Sequence, residues 1–218
     1  MKNTKVKNAT YKDTILISFP SEVTVRDVES LLLQKSEAAK KSLIFVIFHR
    51  LNNRYVLPLN EIPDRKRSGF LTMAAACLMI EAFQSFREGR EYTKDKGAGK
   101  ECFQNFFSSN KAFRELIPYS DRFYSNIRCG ILHQAETYEN WLLITGDENE
   151  PLFDPKDKSI NADLFLKELA NSFGEYRHYL IKADWNHPLW KAAKFKLDKI
   201  CEHCQAIPVK KTIWSYCI

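Results

Sequence analysis

Residues Ser68–Gly89 read SGFLTMAAACLMIEAFQSFREG, and the fold turns on how this stretch is read. Leu71, Ala75, Leu78, Met79, Ala82, Phe83 and Phe86 recur at spacings of three and four, the period of a helix. Ser68 is a residue type that caps a helix start, and Gly89 suits a helix end. Past the charged, Gly-containing loop Tyr92–Lys100, Cys102–Phe107 and Lys111–Leu116 read as short helical pieces. Tyr119–Ala135 reads as a longer helix, with Ser120 at its cap and Phe123, Ile127 and Ile131 on one stripe. Thr145–Ser159 is acidic, holds two prolines and reads as a surface loop. Asn161 then caps a helix that carries Phe165, Leu166, Leu169, Phe173, Tyr176 and Leu180 on one face. Pro188 suits the first turn of a last helix, whose apolar face is Leu189, Ala193, Leu197, Ile200, Cys201 and Cys204. These elements predict an up-and-down helical bundle from about Ser68 to Ile207, in a domain spanning 63–218 with a C-terminal tail.

Upstream, Thr14–Phe19 reads as a strand stopped by Pro20, and Val25–Lys41 as a helix. Leu43–Phe48 and Arg54–Leu59 read as two strands joined at an Asn52-Asn53 hairpin turn. Residues 1–62 are therefore expected to form a small α+β unit preceding a mainly α domain.

Composition narrows the class. The chain has 218 residues, of which 44% are hydrophobic, enough for a real core and too many for a disordered chain. Seven glycines are few for an all-β fold with many tight turns. Lys and Arg number 33 against 27 Asp and Glu, a charge of +6 spread along the chain, which permits nucleic-acid binding without demanding it. The opening MKNTKVKNATYKD has no apolar secretion segment, and Leu43–Phe48 is too short to span a bilayer. The expectation is a cytoplasmic protein with no membrane role and with cysteines reduced, Cys201 and Cys204 as buried thiols. One C-x-x-C supplies too few ligands for zinc, and Gly97–Glu101 lacks the spacing of a phosphate loop. No metal or cofactor is expected.

Tyr124–Thr137, YSNIRCGILHQAET, carries the candidate chemistry. Arg128 and His133 lie five positions apart, about 140° around a helix and about 7.5 Å along it. One helix cannot aim both at one point, whereas a second helix or a two-fold copy can. Glu81 interrupts the apolar run Met73–Phe83, where a carboxylate is costly to bury unpaired. It either holds Arg128 or His133 in place or lies on the solvent side. Arg87 and Arg90, at the end of the same helix, suit either phosphate contacts or compensation of the helix dipole.

Arg128-x-x-x-x-His133 within this helical context resembles the signature of the HEPN superfamily, and the resemblance covers about Ser68–Ile207. It implies a homodimer with RNA as substrate, and metal-independent endoribonuclease activity in a defence or toxin–antitoxin setting, with a cognate antitoxin or other protein partner. In that reading His133 acts as general acid or base, Arg128 holds the phosphorane, and the 2′-OH attacks to leave a 2′,3′-cyclic phosphate. One position departs from the pattern. Competent members carry a polar residue after the Arg, and this chain has Cys129; Asn126 is the substitute to consider. The alternative is a catalytically silent HEPN-like module that binds nucleotide, RNA or a protein.

Overall fold

The computed structural model describes residues 10–18, 20–63, 68–92, 98–146 and 149–205. Near the N-terminus, β1 (Ile15–Ile17) pairs antiparallel with β2 (Val23–Thr24). Phe19, the last residue of the expected strand, lies outside the described residues. Thr24 caps α1 (Val25–Gln34) through a capping box: its hydroxyl accepts the Asp27 N–H, and the Asp27 carboxylate accepts the Thr24 N–H at 2.8 Å. Lys35, in the left-handed region at φ 47°, ends α1, and Ser36 caps α2 (Glu37–Leu51). The helix expected over Val25–Lys41 is thus two helices.

Leu43–Phe48 is not a strand but the middle of α2. Arg54–Leu59 is not a strand either; it runs from a π turn (Asn52–Val56) into α3 (Leu57–Asn60). An unbroken apolar run has no period of its own, and its β-branched residues favour a strand locally. Tertiary packing decides otherwise: Leu43, Ile44, Ile47 and Leu51 are buried at helical spacing. Asn52 and Asn53 continue the coil of the backbone instead of turning it.

α4 (Gly69–Glu88) is the central helix, with Ser68 at its N-cap position and Gly89 closing it at φ 66°. α5 (Ala98–Ser109) follows, then a 3-10 segment (Lys111–Tyr119), α6 (Ser120–Phe123), a second π turn (Tyr124–Arg128) and α7 (Cys129–Gln134). The helix expected over Tyr119–Ala135 is therefore a chain of short helical forms. Pro118 lies inside the 3-10 segment, and Ser120 sits in the first turn of α6, not at its cap.

A small sheet interrupts the helices. β3 (Leu142–Ile144), β4 (Phe153–Asp154) and β5 (Ser159–Asn161) lie in the order β3-β5-β4, with β3 parallel and β4 antiparallel to β5. The acidic stretch expected as a plain loop thus contains β4 and the start of β5. Phe153 draws it inward, stacking on Trp141 and meeting Tyr119 edge-on. Asn161 caps α8 (Ala162–Lys182), its side chain accepting the Leu164 N–H at 3.1 Å, and Pro188 opens α9 (Pro188–Gln205).

The protein is mainly helical around one core. α4 packs against α5, α8 and α9, while α1 packs on α9 and α2 on α8. A single apolar cluster runs from Leu16 to Cys204, so the N-terminal elements share the core of the later helices. Phenylalanines dominate its centre: Phe83, Phe103, Phe106, Phe107, Phe113, Phe123 and Phe165 are all buried. Each such ring stabilises the fold by about 1.5–3 kcal/mol through burial. α4 has the length and apolarity to cross a membrane, yet 67% of that window is buried inside the protein, as in a core helix. Cys77, Cys102 and Cys201 are free and buried, whereas Cys204, expected as a buried thiol, is disulfide-bonded.

Candidate functional site

Arg128 closes the second π turn, which brings its side chain back onto α4. Its Nε donates to Glu81 Oε1 at 2.8 Å, and the pair is 19% and 14% exposed. The guanidinium also lies over the Tyr124 ring, 5.5 Å from the centroid. Burial opposes its charge, but the Glu81 carboxylate outweighs burial and raises the Arg128 pKa above the ordinary arginine value. Arg128 makes no further hydrogen bond through its terminal nitrogens among the described residues. The Nη1–Nη2 edge, the one that grips a phosphate in bidentate fashion, is therefore uncommitted.

Two glycines make this arrangement sterically accessible. A Cβ on Gly99 would come within 2.6 Å of the Tyr124 ring edge and hydroxyl, so a side chain at 99 would displace the ring that underlies Arg128. A Cβ on Gly130 would lie 2.5 Å from the Glu136 carbonyl oxygen. The motif glycine thus lets the chain fold back immediately after α7, where Ala135 adopts φ 55°.

His133 sits in the last turn of α7 and is exposed, with no hydrogen bond among the described residues. Arg128 and His133 are separated by regular α-helix, so within one chain they diverge by about 140°. Asn126 is buried and committed elsewhere: its Nδ2 donates to Glu139 Oε2 at 3.1 Å and its carbonyl accepts the Tyr138 N–H at 3.0 Å. It fastens the turn after α7 and does not reach toward Arg128 in any bond described. Cys129 is half-buried beside Tyr124, and burial together with that thiol raises the Tyr124 phenol. Beneath the pair, burial first and the Glu81 charge second push the Cys77 thiol far up, so it stays protonated.

The two remaining arginines are held by neighbours. Arg87 lies over the Phe83 ring at 5.6 Å, donates weakly to Gln84 at 3.4 Å, and has its pKa lowered by burial. Arg90 bridges Glu88 at 2.7 Å and Glu101 at 2.9 Å, which satisfies its charge within the fold. The structure brings Glu81 to Arg128 and leaves His133, Arg87 and Arg90 apart from that pair. Among the described residues no cluster of three or more His, Cys, Asp or Glu side chains could hold a metal ion.

Sequence reasoning did not single out Tyr124, the aromatic platform under Arg128. Its position four residues before the arginine, one helical turn away, was the available signal. In comparisons with known proteins, the chain matches no family model, no curated protein and no solved structure.

Proposed function

We propose that this protein is a HEPN-like, dimeric, RNA-directed endoribonuclease that works without a metal. The observation that carries the reading is the Arg128–Glu81 pair: one nitrogen fixed at 2.8 Å, the phosphate-gripping edge uncommitted. A guanidinium positioned in this way meets the developing charge of a phosphorane with little reorganisation. The exposed His133 imidazole supplies the proton transfer, taking the 2′-OH proton or protonating the leaving 5′-oxygen.

The divergence of Arg128 and His133 in one chain is answered by a second copy. Leu71 and Leu78 lie seven residues apart on the same side of α4 and are 57% and 42% exposed. α4 packs on α7 and β3, which expose Leu132 and Leu142. A two-fold contact through these apolar residues would bring the Arg128 of each copy toward the His133 of the other.

His133→Ala is expected to abolish RNA cleavage with the fold intact, because the side chain is exposed. Wild-type digests are expected to carry 2′,3′-cyclic phosphate ends. Leu78→Glu is expected to shift the protein to monomer by sedimentation and to abolish cleavage with it. Undiminished cleavage in purified His133→Ala would sink the mechanism.

Cys129 favours a second reading, a silent HEPN-like module that binds nucleotide, RNA or a protein partner, since no polar side chain follows Arg128. For RNA, that reading predicts salt-dependent binding that Arg128→Ala weakens, with no cyclic-phosphate ends.

A further inference from the structure

A cavity of about 280 Å³ opens between α2 with its π turn, α4 and α9. It lies on a different side of α4 from the Arg128 pair: Ala82 and Phe86 line it, about 100° and 140° around the helix from Glu81. Its wall carries four cations, Arg50, Arg54, Lys196 and Lys199, against one carboxylate, Glu91.

The cations differ in what they already hold. Arg54 Nη2 donates to the Leu16 carbonyl at 3.0 Å, and Lys196 Nζ donates to the Glu91 carbonyl at 2.7 Å. Lys199 pairs with Glu202 at 2.6 Å. Arg50 has no ion pair and no hydrogen bond among the described residues, and its Nη1 is fully buried without a partner. Burial first, and the neighbouring Arg54 charge second, lower its pKa to about 10. The same two influences, burial and then Arg50, lower the pKa of Lys196.

Buried guanidinium groups are normally paired, because an unpaired charge stripped of water is strongly disfavoured. A cavity that gathers cations around an orphaned donor is complementary to an anion. Arg50 and Arg54 offer fork geometry for phosphate, and more than one cation suits a doubly charged head. The rest of the wall includes His203, which meets the Tyr92 hydroxyl at 2.9 Å, and Leu51, Phe86, Ile200 and the rings of Tyr55 and Tyr92, a setting for an apolar or aromatic body. The volume suits a small molecule.

We infer that this cavity is a binding site for a small organic phosphomonoester, with Arg50 as the residue that receives the phosphate head. The inference is independent of RNA cleavage and of dimerisation.

The test uses phenyl phosphate as the probe, with phenol and benzoate as its neutral and singly charged counterparts. Calorimetry and thermal unfolding are run on the full chain and on Arg50→Met, a substitution that keeps the stem and removes the charge. Phenyl phosphate is expected to bind the wild type more tightly than benzoate, to raise its melting temperature, and to show no binding of phenol. In Arg50→Met the affinity for phenyl phosphate is expected to fall by about tenfold or more, while the unliganded variant melts at or above the wild-type temperature. Equal affinity in both proteins overturns the proposal. So does an absence of binding to the wild type at about 10 mM probe.

Discussion

Two arginines flank α4, and the fold treats them differently. Arg128 meets Glu81 at 2.8 Å and rests on Tyr124. Among the described residues Arg50 meets no carboxylate; it faces Arg54 across the same cavity wall and leaves a buried nitrogen unsatisfied. One charge is compensated and aimed; the other is desolvated and repelled. A third arginine completes the series. Arg26 pairs with Asp13 at 2.8 Å on the solvent side, 58% exposed, where water already screens both charges. The geometry of an ion pair therefore says little by itself. What matters is whether water or a partner stabilises the charge when the chain folds.

Breaking the compensated pair is expected to have the largest effect. Glu81→Leu leaves Arg128 half-buried without its carboxylate and should destabilise the protein by about 2 kcal/mol, less than a fully buried break because both groups retain some solvent. Chemical denaturation measures it, and adding Arg128→Met should recover much of the loss. An unchanged midpoint in Glu81→Leu would mean that the pair contributes orientation alone. Arg50→Met should act in the opposite direction, stabilising the unliganded protein by about 1 kcal/mol, since it removes a desolvated charge that nothing compensates. A destabilised variant would show that Arg50 is satisfied in solution and would collapse the contrast.

His133→Ala should change stability by no more than about 0.5 kcal/mol, as for other exposed side chains, so that loss of cleavage can be read as chemistry.

The exposed pair should give the smallest effect and the clearest pH signature. The Arg26 hydrogen bond first, then Thr10, hold the Asp13 carboxyl down at about 2, below its unfolded value. A depressed carboxyl favours the folded state above its unfolded pKa and loses that contribution as pH falls through its folded pKa. The melting difference between wild type and Asp13→Asn should therefore be full at neutral pH, shrink below about pH 4, and vanish under pH 2. A difference that persists under strong acid would trace to something other than this charge.

Much of the helical frame was legible in the sequence because its signals are local. Asn161 and Pro188 mark the starts of α8 and α9 where capping and fixed φ place them, and Gly89 ends α4 with a positive φ. The apolar run Leu43–Phe48 was not legible, because six consecutive apolar residues fit a strand or a helix equally. The choice was made by the surfaces it meets in α8 and the rest of the core. The site divides in the same way. Glu81 announced itself as a carboxylate inside an apolar run, but which cation it meets depends on a π turn that no periodicity encodes. The Arg50 cavity was silent in the sequence, since its walls come from segments as far apart as Arg50 and His203.

Spacing and composition alone specify a mainly helical chain with particular residues at several helix ends. Those properties follow from spacing and from side chains acting on their own backbone. Which charges are paired was set by the packing of distant segments. Desolvation depends on what other segments bring against a side chain, and neighbours distant in sequence set that.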